Sequence, residues 1–465
     1  MTATKHKIMK TKDNTTTICT KAFVSETKHD EITSLLKAGD PIKIRGEVQY
    51  DTFENMNTIM IKDIEKREKA SGRQDTWPDG KRVELHAHTK MSSMDGLNEP
   101  ADIVKQAAAW GQPAVAITDH GVVNKGWDEM PEMLPIIGYN KFLYDLSPVS
   151  KERYEEITTG ADRDGRPMLD VNQGIEMNGV VMRKNHVNGF FCGAFQGDWG
   201  EEEDYISPVK ATHEAGGISF IAHPGDFYSI NGNRERAEDY NYLNIYIEPL
   251  LEYESCVGLE IFNERDTVAG ADRILWDNVL MYTVPRGKVA WGFSNDDSHV
   301  IENIGVTAEI MLMPELSNEA LRTAMENGTF FACSRIARNE LGDEFEGNGN
   351  YAKIEKIIVD EEQDIITVTA NNYDTIEWIS DGEIIATGNI FNLRENSSKL
   401  GSYVRFQIKN DGGIVMSQPF VCDDGNMEAK MIPEIEVEPL NFFEKLVAAV
   451  RKTILGELFY RMFWL

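Results

Sequence analysis

His86 and His88 stand two residues apart in the run Val83-Glu84-Leu85-His86-Ala87-His88. In an extended strand, residues i and i+2 face the same side, so these two imidazoles can reach a single ion. Asp297 and His299 repeat that spacing in Ser294-Asn295-Asp296-Asp297-Ser298-His299. His120 and His223 each close an apolar run, in Ile117-Thr118-Asp119-His120 and Ile221-Ala222-His223-Pro224-Gly225. Glu176 in Gly174-Ile175-Glu176-Met177-Asn178 and His186 in Asn185-His186-Val187 complete the set, since a carboxylate followed by a histidine from a neighbouring strand can bridge two ions. Singly, each residue has a plainer explanation: a chance pair, a helix-capping acid, a satisfied polar side chain. Jointly, six of the chain's nine histidines fall at strand ends of one segment.

Nitrogen and carboxylate donors without thiolate suit zinc, manganese or iron. Two or three such divalent ions lower the pKa of water toward neutrality, offset the charge of phosphate oxygens and steady a leaving group, so no protein nucleophile is required. The catalytic candidates are then His86, His88, Asp297 and His299, with a His or Asp at the rim of the site protonating the leaving oxygen.

These residues need a scaffold that brings distant strand ends together. From Arg82 to Arg338 short apolar runs (VELHAH, PAVAITDH, GISFIAH, GLEIFN, KVAWGFS) alternate with helical stretches such as Pro100–Trp110 and Val209–Ala215. Alternating strand and helix predicts an α/β fold, a barrel or a doubly wound sheet. Parallel α/β folds collect their chemistry at the carboxyl ends of strands, where these His, Asp and Asn residues stand.

The flanks read differently. Residues 1–16 are polar and Lys- and Thr-rich, which predicts a disordered tail. Residues 17–70 carry two alternating runs, Ile42–Tyr50 and Thr58–Ile64, expected as a small antiparallel β unit, and Arg67–Arg82 reads as a linker. Residues 350–425 hold several short strands broken by Asp-Gly turns, as in a β-sandwich. At the end, residues 436–465 place Phe443, Leu446, Val447, Val450, Ile454, Leu458 and Met462 on one face of an amphipathic helix. With Lys445, Arg451, Lys452 and Arg461, that helix suits a membrane surface; docking on its own protein or on a second protomer is the plainer alternative.

The 465 residues carry a formal net charge of −30, which repels polyanions and argues against a non-specific nucleic-acid binder. Five scattered cysteines, with no CxxC pair, fit reduced thiols and offer no thiolate metal site. No apolar run at the start reads as a signal peptide, and none elsewhere is long enough to span a bilayer, so the expected place is the cytoplasm, with peripheral membrane contact through the last helix as the variant.

In order and spacing, HAHTKMSSMDG, AITDHG, GIEMN, FIAHPG and SNDDSH resemble the successive motifs of the PHP (polymerase and histidinol phosphatase) superfamily over about Val83–Val300. The resemblance implies a distorted (β/α)7 barrel with up to three metals at its strand C-termini. It implies one metal held by His86, His88, Glu176 and Asp297, and a second held by Glu176 as bridge with His186 and His223. A third would be held by His120 and His299 with Asp95 from the Met91–Asp95 loop. The opening, GDPIKIRGEVQYDTFENMNTIMIKDIEKRE through KRVELHAHTKMSSMDG, is similar to the OB-fold and PHP start of PolC-type DNA polymerase III of Gram-positive bacteria. That similarity stops after TDHGVVN; no DxE exonuclease motif lies between Asn124 and Gly174, and the chain is too short for palm and fingers, so polymerase activity is not implied. GLEIFNERD, SNDDSH and LRTAMENGTFFACS before the β-sandwich resemble the CehA/McbA branch of PHP metallohydrolases.

Two further groups have a use or a plain role. Arg183, Lys184 and Arg265 are near motif residues and are candidates to clamp a substrate phosphate; otherwise they are surface charges. Lys43, Arg45, Tyr50, Phe53 and Lys62 would let the OB-like unit bind single-stranded nucleic acid; otherwise the unit is a structural appendage. The expectation is a phosphoesterase with two or three divalent ions (Zn, Mn or Fe), acting on a phosphorylated small molecule or a nucleotide end. The competing expectation is a non-catalytic replication or nucleic-acid accessory module.

Overall fold

The computed structural model describes residues 4–12, 17–25, 30, 32, 34, 36–37, 40, 42–52, 56–67, 80–90, 92, 96–120, 122–123, 132–133, 150–161, 165–171, 173–177, 185–193, 204–227, 234–267 and 269–435. The expected C-terminal helix, residues 436–465, lies outside them.

The N-terminal unit is a four-stranded sheet of β1 (Thr4–Lys12), β2 (Thr17–Ser25), β3 (Ile42–Asp51) and β4 (Met56–Lys66), in the order β1-β2-β4-β3. Residues 4–12 are therefore a strand and not a disordered tail. Composition gives no sign of it, because a strand can be held by its backbone: Thr4 to Lys12 pair antiparallel with Ser25 to Thr17 along one edge. The unit is not purely antiparallel either: β2 runs parallel to β4.

The central segment starts with β5 (Gly80–Glu84), β6 (Ala114–Ala116), the short β7 (Val122–Val123) and β8 (Glu132–Met133), and β9 (Leu169–Val171). It continues through β10 (Ile175–Met177), β11 (Val187–Phe190), β12 (Ile218–Ile221), β13 (Cys256–Asn263), β14 (Trp291–Asn295), β15 (Thr307–Leu312) and β16 (Phe330–Ser334). Strands β5, β6 and β9 are parallel neighbours, and β10-β11-β12-β13-β14 form a second sheet. Strands β12, β13 and β14 run parallel and are almost wholly apolar or buried, as strands covered on both faces must be. Alternation of parallel strands fails at β11, which pairs antiparallel with both β10 and β12.

Isolated bridges join the two sheets where their strands end. Ala87 pairs with Ser298, and His120 pairs with Glu176. The Thr118 N–H donates to Ala87 O at 2.9 Å and the Glu176 N–H to Thr118 O at 3.1 Å. All these contacts lie at the carboxyl ends of β5, β6 and β14, and they draw the predicted ligands into one place. Deeper in, Phe190, Phe220, Phe293 and Phe330 stack in series at centroid distances of 5.4, 4.4 and 4.8 Å. Three of them stand within four residues of a candidate ligand on the same chain segment (His186, His223, Asp297), so this apolar core packs directly beneath the ligands. Outside, helices Tyr240–Glu252 and Asp272–Thr283 cover β13 through Leu243, Tyr246, Leu250, Leu275 and Trp276, and helix Ile206–Glu214 packs on β12.

The C-terminal strands are not a separate body. β17 (Lys353–Asp360), β18 (Ile365–Asn371), β19 (Thr375–Ser380), β20 (Glu383–Thr387), β21 (Ile390–Asn392), β22 (Tyr403–Asn410) and β23 (Gly413–Ser417) follow. β17, β18 and β21 form one sheet; β20-β19-β22-β23 continue through β16, β15 and β5 into β6 and β9. The two sheets face each other over Ile366, Val368, Trp378, Phe391, Phe406 and Ile408. The boundary expected near residue 340 is thus crossed by a hydrogen-bonded ladder, Phe331 to Ser334 against Ser417 to Ile414.

A buried ion pair ties the same junction. Arg405 of β22 donates from Nε and Nη2 to the two carboxylate oxygens of Asp277, at 2.8 and 2.7 Å, and Tyr403 donates to Asp277 Oδ1 at 2.7 Å. Removing one partner strands a buried charge, which typically costs about 3–5 kcal/mol. Asp277→Ala should lose stability of that order in urea unfolding, and the double change Asp277→Ala with Arg405→Met should recover part of it. An unchanged midpoint for Asp277→Ala would contradict this role.

Candidate metal centre

Each candidate imidazole is placed by a strand end and aimed by a second contact. His86 and His88 follow β5; the His86 N–H donates to Glu84 Oε1 at 2.7 Å and the His88 N–H to Ser298 O at 3.0 Å. His86 Nδ1 lies 2.8 Å from Glu260 Oε1, so that nitrogen carries the proton and Nε2 presents its lone pair. His88 Nδ1 lies 2.9 Å from Ser92 Oγ, which also accepts the His120 N–H at 3.0 Å. Asp119 accepts the Thr89 N–H at 2.6 Å and its hydroxyl at 2.7 Å, fixing the turn after His88. His223 stands before Pro224 and Gly225; a Cβ on Gly225 would come 2.1 Å from Asp272 Oδ1, so only glycine lets the chain pass.

The free faces converge on Glu176. Its Oε2 lies 3.1 Å from Nε2 of His86, His88 and His120, and its Oε1 lies 2.9 Å from His186 Nδ1 and His223 Nε2. Asp297 Oδ1 is 3.2 and 3.0 Å from His86 Nε2 and His88 Nε2, which are themselves 3.1 Å apart. Too many lone pairs meet here for hydrogen bonds to satisfy them. Four donors about 2.0–2.1 Å from an ion are about 3.3–3.4 Å apart in a tetrahedron, so the spacing of His86, His88, Glu176 and Asp297 suits a divalent cation. Their ligand atoms all lie within 4.8 Å of one another, as do those of His120, Glu176 and His186.

Charge follows the same logic. Burial pushes the Glu176 carboxyl up, but His86, His120 and His186 outweigh it and hold it well below the usual range. Burial likewise works against the Asp297 carboxylate, and His86 and His299 bring it well below its ordinary value. Burial disfavours a charged His86, yet Asp297, Glu176 and Glu260 outweigh it and hold this imidazole well above the usual histidine value. His186 goes the other way, down to about 4, because burial dominates, Glu176 opposes it, and His223 and His120 add to it.

Seven of the predicted residues are therefore gathered around one carboxylate: His86, His88, His120, His186, His223, Asp297 and, at the rim, His299, whose ring stacks on that of His88 at 4.5 Å. The grouping differs from expectation in one respect: His120 stands with Glu176 and His186, and His299 stands with Glu264 and Asp297. Asp95, Arg183 and Lys184 lie outside the described residues. Arg265 is described, and its half-exposed guanidinium donates to Glu346 Oε2 at 2.7 Å.

Two acids were not singled out from sequence. Glu260 is fully buried and takes four donors: His86 Nδ1, Asn295 Nδ2, the His223 N–H and Asn263 Nδ2, all within 2.9 Å. A charged residue in the middle of the apolar run Val257-Gly258-Leu259-Glu260-Ile261-Phe262 was its available signal. Glu264 gives no such signal, because its place depends on a left-handed turn, φ +45°.

Residues 84–256 match the family described as "PHP domain". The chain carries a PHP domain. Its curated relatives include the PolC-type DNA polymerase III of Pediococcus pentosaceus, 45% identical over 113 residues, and that of Bacillus subtilis, 42% identical over 117 residues. These stretches cover 24% and 25% of this chain, which spans only 8% of the length of either relative. Among solved structures, a Bacteroides vulgatus two-domain protein containing a predicted PHP-like metal-dependent phosphoesterase is 14% identical, with 76% of this chain and 99% of that chain covered and a TM-score of 0.40. The lesion-specific endonuclease of Pyrococcus furiosus is 12% identical, with 83% of each chain covered and a TM-score of 0.31. Among the described residues no helix is long and apolar enough to cross a membrane.

The raised His86 value sets a pH dependence for the PHP centre. A proton and a cation compete for the same Nε2, so affinity for a divalent ion grows as that proton is lost. With the imidazole held well above its ordinary value, apparent Mn affinity should keep rising through pH 7 and beyond. Equilibrium dialysis between pH 6 and 9 checks this; a plateau already reached at pH 6.5 would contradict it.

Proposed function

We propose that this chain is a metal-dependent phosphoesterase that hydrolyses a phosphomonoester or phosphodiester, on a small metabolite or a nucleotide end. The observation that carries the reading is the buried Glu176 carboxylate with five imidazoles within 3.1 Å. In this reading His86, His88, Glu176 and Asp297 hold one ion, and Glu176 bridges to a second held with His186 and His223, with His120 completing the ring. The closed run of strands is read as the distorted (β/α)7 barrel of PHP domains, and the two facing C-terminal sheets as a sandwich appended to it.

Bound divalent ions would acidify water and offset the charge of a phosphate group. The protein's part is to hold and exclude. Glu260 keeps the His86 Nδ1 proton in place, and Ser92 orients His88 and His120. Thr89, Asn98 and Asp119 lock the loop that follows β5, where Asn98 donates to His88 O at 3.1 Å and to Ser298 O at 3.2 Å. His299 is the one imidazole of the set with substantial solvent access, its side chain 28% exposed, and it suits proton delivery to a leaving oxygen. A nearly complete donor set favours catalysis over a non-catalytic accessory role, in which ligands would have no reason to persist together.

The test is turnover of a chromogenic phosphomonoester and phosphodiester by the protein reconstituted with manganese or zinc. Activity on at least one is expected. His86→Ala and Asp297→Asn should each lower it by more than the ~10–100-fold typical of removing an outer partner of a metal ligand. Tightly bound ions with no turnover on either ester would sink the enzyme reading.

A further inference from the structure

We propose that β3 is the contact strand of a homodimer: two copies of the chain pair their β3 strands antiparallel, edge to edge, about a two-fold axis at Gly46. The inference goes beyond the phosphoesterase reading and does not depend on it. In the order β1-β2-β4-β3, strand β3 (Ile42–Asp51) stands at the end of its sheet, bonded on one side only among the described strands. Every residue from Arg45 to Tyr50 is exposed, Val48 to 64% and Tyr50 to 60%. An end strand presents alternate N–H and C=O groups to any strand that can align with it. The irregularity of this ribbon is on the other strand. The register passes from Arg45↔Asp63 to Gly46↔Ile61, so Lys62 of β4 is the extra residue and β3 stays regular.

The sequence of β3 is complementary to itself. A two-fold axis normal to the sheet keeps the same face upward in both copies, so residues an even number apart must oppose one another. Two such registers overlap nine residues of the strand. Centred on Glu47, the pairing sets two carboxylates face to face. Centred on Gly46, it sets Arg45 against Glu47 of the second copy, twice, and Lys43 against Gln49 on the same face. On the other face it sets Ile44 against Val48 and Ile42 against Tyr50, again twice each. Opposite charges and apolar pairs directly across from one another are what stabilise an antiparallel ladder. At the axis glycine meets glycine, and no side chain holds the strands apart. The charges alternate beyond the contact as well. Arg45 lies 3.9 Å from Asp63 of its own chain and Glu47 pairs with Lys62, so each new ion pair extends an existing one.

The place suits association electrostatically. With a net charge of −30, two copies repel one another over most of their surface. Residues 1–67 are the exception, with 12 Lys and Arg against 10 Asp and Glu. Approach through this unit brings together the part of each chain whose charge is close to zero. A contact between two strand edges is small, so the dimer is of the weak, concentration-dependent kind rather than an obligate one.

Sedimentation velocity on the full chain, over roughly 1 to 100 µM, tests this directly. The wild type is expected to pass from monomer to dimer in that range. Glu47→Arg opposes guanidinium groups across the axis and Arg45→Glu opposes carboxylates, so each variant alone should dimerise roughly tenfold more weakly or worse. An equimolar mixture of the two variants sets an all-basic strand against an all-acidic one and should recover the dimer. The mixture is also the control for folding, since each chain carries the same substitution alone and mixed. A wild type that stays monomeric throughout overturns the dimer. Single variants that dimerise as the wild type does overturn β3 as the contact, and a mixture that stays monomeric overturns the register at Gly46.

Discussion

The structure is organised around one buried carboxylate that is made to meet five imidazoles. Glu176 is about as far from water as a side chain can be, and a lone carboxylate there would shed its charge. The histidines at 2.9–3.1 Å keep it ionised: His86 and His88 follow β5, His120 follows β6, His186 precedes β11 and His223 follows β12. This constraint explains why the two sheets meet where they do. The bridges between Ala87 and Ser298 and between His120 and Glu176 set the lengths of β5, β6, β10 and β14. A slip of two residues in any of them would carry an imidazole about 6–7 Å out of reach.

The same demand accounts for backbone strain concentrated at the centre. His223, Glu264, Asp266 and Asp297 all have positive φ without being glycine. Three of them bear or neighbour a candidate ligand, and the fourth, Asp266, locks the turn through Arg273. Strain of this kind is retained where side-chain direction matters more than backbone comfort. Beneath it the stacked Phe190, Phe220, Phe293 and Phe330 supply apolar packing that fixes the strands against one another, and Glu260 converts that rigidity into a defined tautomer for His86.

Much of this was legible in the sequence, and for a physical reason. Strand ends are short, apolar and broken by Pro, Gly or Asp, so a histidine at such an end stands out, and His86, His88, His120, His223 and Asp297 were found that way. What spacing along the chain does not encode is which strand lies beside which. That His120 stands with His186 and Glu176, and that Arg265 pairs with Glu346 far along the chain, could not be read from it. The antiparallel setting of β11, the strand at Thr4–Lys12 and the continuous sheet from β23 into β16 share that cause, since each depends on a pairing partner rather than on its own composition. Glu264 belongs with them, because only the turn geometry brings it to His299.

The central claim is that the lone pairs around Glu176 exist to hold cations. Anomalous diffraction from crystals of the protein soaked in manganese tests it most directly. The account predicts two peaks flanking the Glu176 carboxylate, one among His86, His88 and Asp297 and one among His186 and His223. A fully occupied, well-ordered centre with no anomalous signal, its imidazoles engaged only in hydrogen bonds to carboxylates and water, would contradict it.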